Sequence, residues 1–362
     1  MPGPPTLDLT SDVVDLTRAV CDIESVSGNE GPLADAVEAA LADLDGLEVI
    51  RDGNVVIART ALGRDERIVL AGHLDTVPLA VIPNLPTSIR GNDVYGRGTC
   101  DMKGGVAVQL RLAAALAAIP DQQTRDVTYF FYDGEEVESE RNGLGKVARN
   151  QPQLLDADFA VLLEPSNGTV EGGCNGTMRV EVTTRGKAAH SARAWLGHNA
   201  IHDAGTILDR LAAYEPREVE VQGLVFREGL NAVGIRGGVA GNVIPDLCVV
   251  TVNYRFAPST SVEAAFGHLQ ELFTGFEVGL VDAAPGARPG LDQPAAQAFV
   301  AVVGEPPKPK YGWTDVSRFS ALGVPAVNFG PGDPNLAHTD NEHCPVDQIR
   351  HCEQVLLGWL TS

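Results

Sequence analysis

The sequence has few basic residues. Its 362 residues include 27 Lys and Arg against 48 Asp and Glu, which gives a formal net charge of −21. A chain with this balance lacks the attraction to phosphate groups on which binding to nucleic acid or to an anionic membrane depends, so we expect neither as a partner. It also gives no long-range steering of an anionic substrate, which would have to be attracted by local cations or metal ions.

Long apolar runs are also missing. No run approaches the ~20 residues needed to span a bilayer. Residues 1–5 have the sequence MPGPP and lack the basic segment followed by an apolar segment that marks a secretory signal. We therefore expect a cytoplasmic protein that does not enter a membrane.

Cysteine is scattered and unclustered. The chain has no CxxC pair, and its six cysteines are Cys21, Cys100, Cys174, Cys248, Cys344 and Cys352. In a cytosolic protein of this size they are predicted to be reduced and structural. Cys100 adjoins Asp101 and could lie near a metal, but a buried neutral thiol is the favoured alternative.

The length predicts two domains, because 362 residues exceed what one hydrophobic core usually supports. In the first part of the chain, helical and strand patterns alternate, as a mixed or parallel sheet with helical crossovers requires. The predicted helices span residues 11–20, 32–44 and 102–118, and the predicted strands span residues 55–58, 68–71, 127–132 and 160–163.

The pattern changes near Gly172 and Gly173. From there the predicted order is strand 178–184, helix 200–214, strands 232–239 and 247–256, helix 262–273 and strand 276–281. This β-α-β-β-α-β order is the ferredoxin-like arrangement. The predicted fold class is therefore α/β, with a mixed-sheet catalytic domain formed by residues 1–175 and 287–362 and a ferredoxin-like α+β domain inserted at residues 176–286.

Histidines and carboxylates that mostly follow apolar runs are candidates for one common site. The candidates are His73, Asp75, Asp101, Glu135, Glu136, Glu164 and His338. In open α/β sheets, functional groups gather outside the carboxyl ends of the strands, so we expect one shared crevice. Imidazole and carboxylate ligands without a cysteine partner suit zinc or a similar divalent metal at a hydrolytic site.

Each motif taken alone leaves an alternative open. Asp75 lies on the same side of an extended segment as His73 and can orient it, although a surface loop could give the same pair. Asp101 has two oxygens that can bridge two cations, or it can cap the helix that follows. His338 is favoured over His343 as the remaining imidazole.

The adjacent carboxylates Glu135 and Glu136 can have two different roles in a metal-dependent hydrolase. One can ligate a metal while the other acts as general base toward water. Glu138 and Glu140 lie nearby, so a solvated acidic turn is the alternative. Glu164 supplies a further carboxylate at the end of a strand.

Several strings resemble one family. GHLDTVP, GRGTCDMKGG, the Glu-Glu pair, LLEPSNG and AHTDNEH follow one another across nearly the whole chain. They are similar to the co-catalytic zinc amidohydrolases and exopeptidases that include acetylornithine deacetylase and carboxypeptidase G. The resemblance implies a zinc-exopeptidase-like catalytic domain that holds two zinc ions, for which cobalt can substitute.

The resemblance also implies roles for the candidate ligands. One zinc takes His73 and Glu164, the other takes Glu136 and His338, and Asp101 bridges them. In the same family pattern the first glutamate of the pair is the general base and the aspartate of the HxD motif is the orienter. These roles fall on Glu135 and Asp75, and a cis peptide is expected after the bridging aspartate.

The inserted domain resembles the lid and dimerisation domain of the family. His190, in the segment GKAAHSA, corresponds to a histidine that reaches the active site of a partner subunit and stabilises the tetrahedral oxyanion, so a homodimer is implied. The candidate substrate contacts are Arg179, Asn242, Arg255 and Arg318. An arginine fork suits a carboxylate, although any one of these arginines could instead form a structural ion pair.

Within the family, the strings FYDGEE, NGLG and GDPNLAH most resemble the desuccinylases of actinobacteria. That resemblance implies a small anionic acyl-amino-acid substrate, N-succinyl-LL-2,6-diaminopimelate. A sibling enzyme (acetylornithine deacetylase, an aminoacylase or a carboxypeptidase) would share every metal residue and is the alternative. A non-catalytic binding protein on this fold would have lost a ligand or the base, and none is missing here.

Overall fold

The computed structural model describes residues 5–362, which fold as two compact units. The second unit comprises Gly173–Pro289 and Pro309–Ser317, and the first unit comprises the described residues before Gly173, Gly290–Lys308 and Arg318–Ser362. The insertion predicted at residues 176–286 falls within the longer segment of the second unit, and the shorter segment lies outside the predicted insertion.

The bounds of the regular elements are as follows. The α-helices are α1 (Val13–Asp22), α2 (Gly31–Ala42), α3 (Lys103–Ala117), α4 (Gly143–Asn150), α5 (Ala200–Ala212), α6 (Val262–Leu272), α7 (Pro294–Val303), α8 (Val316–Ala321) and α9 (Val346–Leu360). The strands are β1 (Glu48–Asp52), β2 (Val55–Arg59), β3 (Arg67–His73), β4 (Ser88–Arg90), β5 (Asp93–Tyr95), β6 (Asp126–Tyr132), β7 (Phe159–Leu162), β8 (Glu171–Gly172), β9 (Gly176–Arg185), β10 (Ala189–His190), β11 (Glu218–Val221), β12 (Leu224–Arg227), β13 (Gly229–Gly237), β14 (Val243–Ile244), β15 (Leu247–Phe256), β16 (Glu277–Ala284), β17 (Lys308–Pro309), β18 (Ala326–Asn328) and β19 (His343–Pro345).

The first unit is built on a mixed sheet, as predicted. Within the described residues its order is β1-β2-β6-β3-β7-β18-β8-β17, and the neighbouring strands β6, β3, β7 and β18 run parallel. Strands β6 and β7 are buried along their whole length. Continuous apolar runs such as VTYFFY are typical of parallel strands that are covered on both faces.

The register aligns the ends of these parallel strands. His73, the last residue of β3, pairs with Tyr132, the last residue of β6. Leu162, the last residue of β7, pairs with Asn328, the last residue of β18. The four strands therefore end along one edge of the sheet, and the loops that leave them begin side by side.

Helix α3 packs against α1, α9 and β3, and its apolar side chains belong to the core of the first unit. Gly105 in its first turn lies so close to the carbonyl of Leu163 that a Cβ at this position would collide with the oxygen. Glycine allows this approach because it has no side chain. The start of α3 is thereby held against the end of β7.

The second unit contains a four-stranded antiparallel sheet in the order β13-β15-β9-β16. Along β9 the residues Met178, Val180 and Val182 are buried and alternate with more exposed ones, and they pack in one core with side chains of α5 and α6. This β-α-β-β-α-β arrangement matches the predicted element order. Two antiparallel pairs, β11 with β12 and β10 with β14, lie outside that prediction.

Candidate metal centre

Three parallel strands deliver the first group of candidate residues. His73 ends β3, the pair Glu135 and Glu136 follows β6, and Glu164 follows β7. Because these strands end along one edge, ligand atoms of His73, Glu135 and Glu136 lie within 4.8 Å of one another. The predicted gathering of functional groups at the carboxyl ends of the strands is therefore seen for these three residues in the first unit.

Asp101 lies between two imidazoles. Its Oδ1 is 3.2 Å from Nε2 of His73, and its Oδ2 is 3.3 Å from Nε2 of His338. His338 belongs to the loop after β18, where its backbone has a φ of 66°, a conformation that residues other than glycine rarely adopt and that is frequent at functional sites. Each oxygen of Asp101 thus faces a different imidazole.

Two ligand triads share Asp101. One consists of His73, Asp101 and Glu164, the other of Asp101, Glu136 and His338, and in each the ligand atoms lie within 4.8 Å of one another. In the second triad, Nε2 of His338 is 3.1 Å from Oε1 of Glu136. A carboxylate shared between two triads can bridge two cations, which is the geometry that a two-metal site requires.

Asp75 is completely buried and holds the glutamate pair. The backbone N–H groups of Glu135 and Glu136 donate to its two carboxylate oxygens at 3.0 and 3.1 Å, and the Ser27 hydroxyl donates to Oδ2 at 2.8 Å. The carboxylate is 3.6 Å from Nδ1 of His73, whereas the carbonyl oxygen of Asp75 is only 2.9 Å from the same nitrogen.

The carbonyl of Asp75 therefore has a role that the sequence did not suggest. A carbonyl only accepts hydrogen bonds, so Nδ1 of His73 carries a proton. When Nε2, on the side of Asp101, gives up its own proton to a metal ion, its lone pair points at the ligand position. The backbone of Asp75 sets the tautomer of His73, and the Asp75 side chain positions the two glutamates.

Carboxylates that lie close together shift the pKa values of the residues at this site. Burial alone would lower the pKa of His73, but its hydrogen bond with Asp101 and the nearby Glu164 hold that pKa well above the usual value. Hydrogen bonds with Asp101 and Glu136 raise the pKa of His338 to about 10. Burial and the neighbouring Asp101 carboxylate raise the pKa of Glu136. The site therefore attracts positive charge.

The donor set fits divalent metal ions. Imidazole nitrogens and carboxylate oxygens, with no thiol among the clustered groups, are the ligands that zinc and similar metals take at hydrolytic sites. Several carboxylates buried together also require compensating positive charge. The peptide between Asp101 and Met102 is cis, as the family resemblance led us to expect.

Glu342 and Arg97 are residues of this site that sequence reasoning missed. Both are buried, and Nη1 of Arg97 donates to Oε2 of Glu342 at 2.7 Å. Oε1 of Glu342 accepts the backbone N–H of Asp101 at 3.1 Å. The only sign in the sequence that could have indicated the pair is the position of the two residues: Arg97 lies in the string GRGTCD and Glu342 in the string AHTDNE.

Four other predicted residues lie in the second unit. His190 is exposed, and its Nδ1 accepts the N–H of Ala192 at 3.1 Å. The carbonyl of Asn242, also exposed, accepts the N–H of Ser191 at 2.9 Å, which brings the His190 and Asn242 segments together.

Arg179 and Arg255 lie on the sheet of the second unit. Arg179 on β9 forms an exposed ion pair with Asp282 on β16 at 3.0 Å, which matches the structural alternative considered for this arginine. Arg255 on β15 is half-buried and pairs in register with Thr177.

Arg318, in contrast, belongs to the first unit. Its Nη2 donates to the Ser139 hydroxyl at 3.0 Å, in the loop that carries the glutamate pair. The guanidinium lies directly over Gly145 of α4, where a Cβ would come within 2.6 Å of Nη1. Of the four predicted substrate contacts, only Arg318 lies in the same unit as the candidate ligands.

The comparison with protein families agrees with this geometry. The model of peptidase family M20/M25/M40 matches residues 69–362. The chain belongs to this family of metal-dependent hydrolases, and the site described above is the place where the family resemblance puts the metal. No helix in residues 5–362 is both long and apolar enough to cross a membrane.

Relatives with more specific names are similar over their whole length. A protein of Mycobacterium tuberculosis provisionally named succinyl-diaminopimelate desuccinylase is 54% identical over 357 residues, with 98% of this chain and 99% of that protein covered. The succinyl-diaminopimelate desuccinylase of Corynebacterium glutamicum is 46% identical over 366 residues, with coverages of 99% and 98%. A dinuclear metal-binding peptidase of the M20 family from Bacillus subtilis has a TM-score of 0.72 at 17% identity, with 98% of each chain covered, which confirms the predicted fold.

Proposed function

We propose that this protein is a dinuclear zinc amidohydrolase that cleaves N-succinyl-LL-2,6-diaminopimelate to succinate and LL-2,6-diaminopimelate, a reaction of lysine biosynthesis. The observation that carries the chemistry is the sharing of Asp101 between two ligand triads. The names of two relatives that are 54% and 46% identical over nearly their whole length support the choice of substrate.

His73 and Glu164 would hold one zinc ion, Glu136 and His338 would hold the other, and Asp101 would bind both. When bound, two zinc ions supply Lewis acidity toward the amide carbonyl and lower the pKa of water. Cobalt can take the same ligands. The buried carboxylates around the two imidazoles support this assignment, because they supply the negative charge that two divalent cations need.

Glu135 is the proposed general base. Its carboxylate takes a proton from the attacking water and later gives it to the amide nitrogen as the C–N bond breaks, so that the amine leaves neutral. Because Asp75 accepts the N–H groups of both Glu135 and Glu136, the base and its neighbouring ligand are held by one buried side chain. The spacing between base and ligand is therefore fixed by the backbone.

Recognition of the substrate depends on local cations, because the chain carries a net charge of −21 and the substrate has several carboxylates. Arg318, on α8, donates to Ser139 in the loop of the glutamate pair. It is the proposed carboxylate clamp, since its planar fork can bind a carboxylate through two hydrogen bonds. Arg179, Asn242 and Arg255 are further proposed contacts that rest on the family resemblance.

A homodimer through the second unit is also proposed. Strand β13 is an edge strand of its sheet and exposes Val233 and Ile235, which are 60% and 55% accessible. An edge strand with exposed apolar side chains is a template for pairing with another chain. In such a dimer, His190 of the partner subunit would donate a hydrogen bond to the oxyanion that forms during hydrolysis.

The proposed location is the cytoplasm. All six cysteines are free and buried, which is the state expected in a reducing compartment.

One assay separates this function from those of sibling enzymes. Hydrolysis of succinyl-diaminopimelate and of acetylornithine should be measured side by side, with apo enzyme and with enzyme reconstituted with zinc. We expect zinc-dependent turnover of succinyl-diaminopimelate at a much higher kcat/KM than that of acetylornithine. Preference for acetylornithine would keep the metal chemistry and reject the substrate, whereas equal turnover by fully metal-free enzyme would reject the metal chemistry.

A further inference from the structure

Glu342 is a buried carboxylate with an unusual set of partners. It is 1% exposed, although it carries a charge that is costly to remove from water. Its Oε1 accepts three backbone N–H groups of one loop, from Gly98, Cys100 and Asp101, at 2.9, 3.1 and 3.1 Å. Its other oxygen accepts from Arg97 at 2.7 Å.

The loop that Glu342 binds has little stiffness of its own. Gly98 has a φ of 82°, a conformation that glycine adopts without cost, and Gly96 lies two residues earlier. The backbone of this loop must nevertheless hold Asp101 so that each of its oxygens faces one imidazole. A single carboxylate that accepts three N–H groups of the same loop supplies the missing constraint.

Arg97 extends the constraint to the neighbouring ligand loops. Its Nη1 also donates to the carbonyl of Thr339, the residue after His338, and its Nε donates to the carbonyl of Pro78, near Asp75, both at 3.1 Å. The carbonyl of Glu342 in turn accepts the N–H of Gly96. The pair therefore ties the segment of His338 to the loop of Asp101.

We propose that Glu342, with Arg97, is the positioning residue that aligns the shared carboxylate of Asp101 with both imidazoles. Glu342 is not one of the five proposed ligands; it acts through the backbone of Asp101. This inference rests on the proposed two-metal function, because alignment of Asp101 matters only if Asp101 binds metal. Residues that hold metal ligands in place typically change metal affinity or activity by about 10–100-fold when they are replaced.

The second unit offers a matched control. Glu228 is also buried, forms an ion pair with Arg217 at 2.8 Å, and accepts the N–H of Ala257 and the hydroxyl of Tyr254, both at 3.0 Å. Its named partners all belong to the second unit. Glu228→Gln thus disturbs a buried glutamate that also pairs with an arginine, here the half-exposed Arg217, without touching the Asp101 loop.

The test uses the apo forms of three full-length proteins: the wild type, Glu342→Gln and Glu228→Gln. Calorimetric titration measures their zinc binding, and amide hydrogen exchange is measured for residues 96–103. We expect Glu342→Gln to weaken zinc binding by about 10–100-fold and to exchange these amides faster, while Glu228→Gln keeps both properties of the wild type. Glu342→Asp, which keeps the charge beside Arg97 but shortens the side chain, replaces Glu342→Gln if that variant does not fold, with Glu228→Asp as its control.

Zinc affinity and exchange equal to those of the wild type would overturn the positioning role. The same loss of affinity in the Glu228 variant would also overturn it, since the effect would then be one of general stability. If the wild type binds only one ion, the two-metal proposal fails, but the positioning role is still tested because Asp101 belongs to both triads. If the wild type binds none, both proposals fail.

Discussion

The charged side chains that cluster at the candidate site of the first unit differ in burial from those on the sheet of the second unit. In the first unit, His73, Asp75 and Glu164 are at most 5% exposed and converge where the parallel strands end. In the second unit, charged residues form exposed pairs across the sheet, namely Arg179 with Asp282, Arg185 with Glu277 and Arg236 with Glu181. Exposed pairs of this kind contribute little to stability, whereas buried carboxylates demand a cation or a donor. The contrast places the candidate chemistry in the first unit, where several buried carboxylates converge. Glu228 of the second unit is also buried, but it pairs with an arginine.

The largest effect should come from removal of metal, because the proposed hydrolysis depends on both ions. All five proposed ligands lie in the first unit. Dialysis against a chelator should abolish activity, and zinc should restore it at two ions per chain. Metal analysis during the titration measures the stoichiometry. Full activity with a single tightly bound ion at saturation would contradict the two-metal site.

Replacement of the proposed base should have the next largest effect. Glu135→Gln keeps the shape of the side chain but cannot accept a proton, so kcat should fall by about 10²–10⁴-fold while the metal is retained. Glu136→Gln should instead weaken metal binding. Turnover and metal content of the two variants can be measured together, and equal metal loss in both would show that the division of roles is wrong.

A smaller effect is expected from the second unit. His190→Ala should lower kcat by about 10²–10³-fold, the typical loss for one oxyanion donor, with less change in KM, because such a contact acts mainly in the transition state. Ile235→Lys should place a charge on the edge strand β13 and favour the monomer. Sedimentation and kinetics of this variant test the link to the dimer, and a fully active monomer would refute it.

The smallest effect concerns a single arginine in each unit. Arg318→Lys keeps the charge but removes the planar fork, so kcat/KM for succinyl-diaminopimelate should fall by the equivalent of about 1–3 kcal/mol. Arg179→Lys, in the exposed pair with Asp282, should cost less. An equal loss with an acyl substrate that lacks the corresponding carboxylate would show that Arg318 supports the fold and does not bind the substrate.

Prediction from the sequence was most successful where the pattern of apolar residues in a strand also determines the position of that strand in the sheet. The apolar runs of β3, β6 and β7 indicated parallel strands, and the rule that functional groups follow the carboxyl ends of such strands brought His73, the glutamate pair and Glu164 to one edge. The ferredoxin-like order was predictable for the same reason, since alternating burial along β9 and β15 follows directly from the alternation of side chains in a strand.

Other features depend on hydrogen bonds between distant segments and left no periodic pattern. Glu342 binds the N–H of Gly98 across 244 positions of sequence, and the carboxylate of Asp75 holds Glu135 and Glu136 across about 60. The hairpin of β11 and β12 was not predicted, although its strands have four residues each, as many as the predicted strand 160–163. Arg318 was predicted to be a clamp from the family resemblance and from its planar fork, but only the structure shows that it lies over Gly145.

The proposed ligands are drawn from segments that extend from residue 73 to residue 338, and only the folded first unit brings them together. Metal binding is therefore linked to folding: free zinc at 100 times its Kd would add about 2.7 kcal/mol to the free energy of unfolding. When zinc is scarce, a larger fraction of the chains is unfolded and exposed to proteolysis. Zinc supply would then set the amount of this protein in the cell as well as the activity of each molecule.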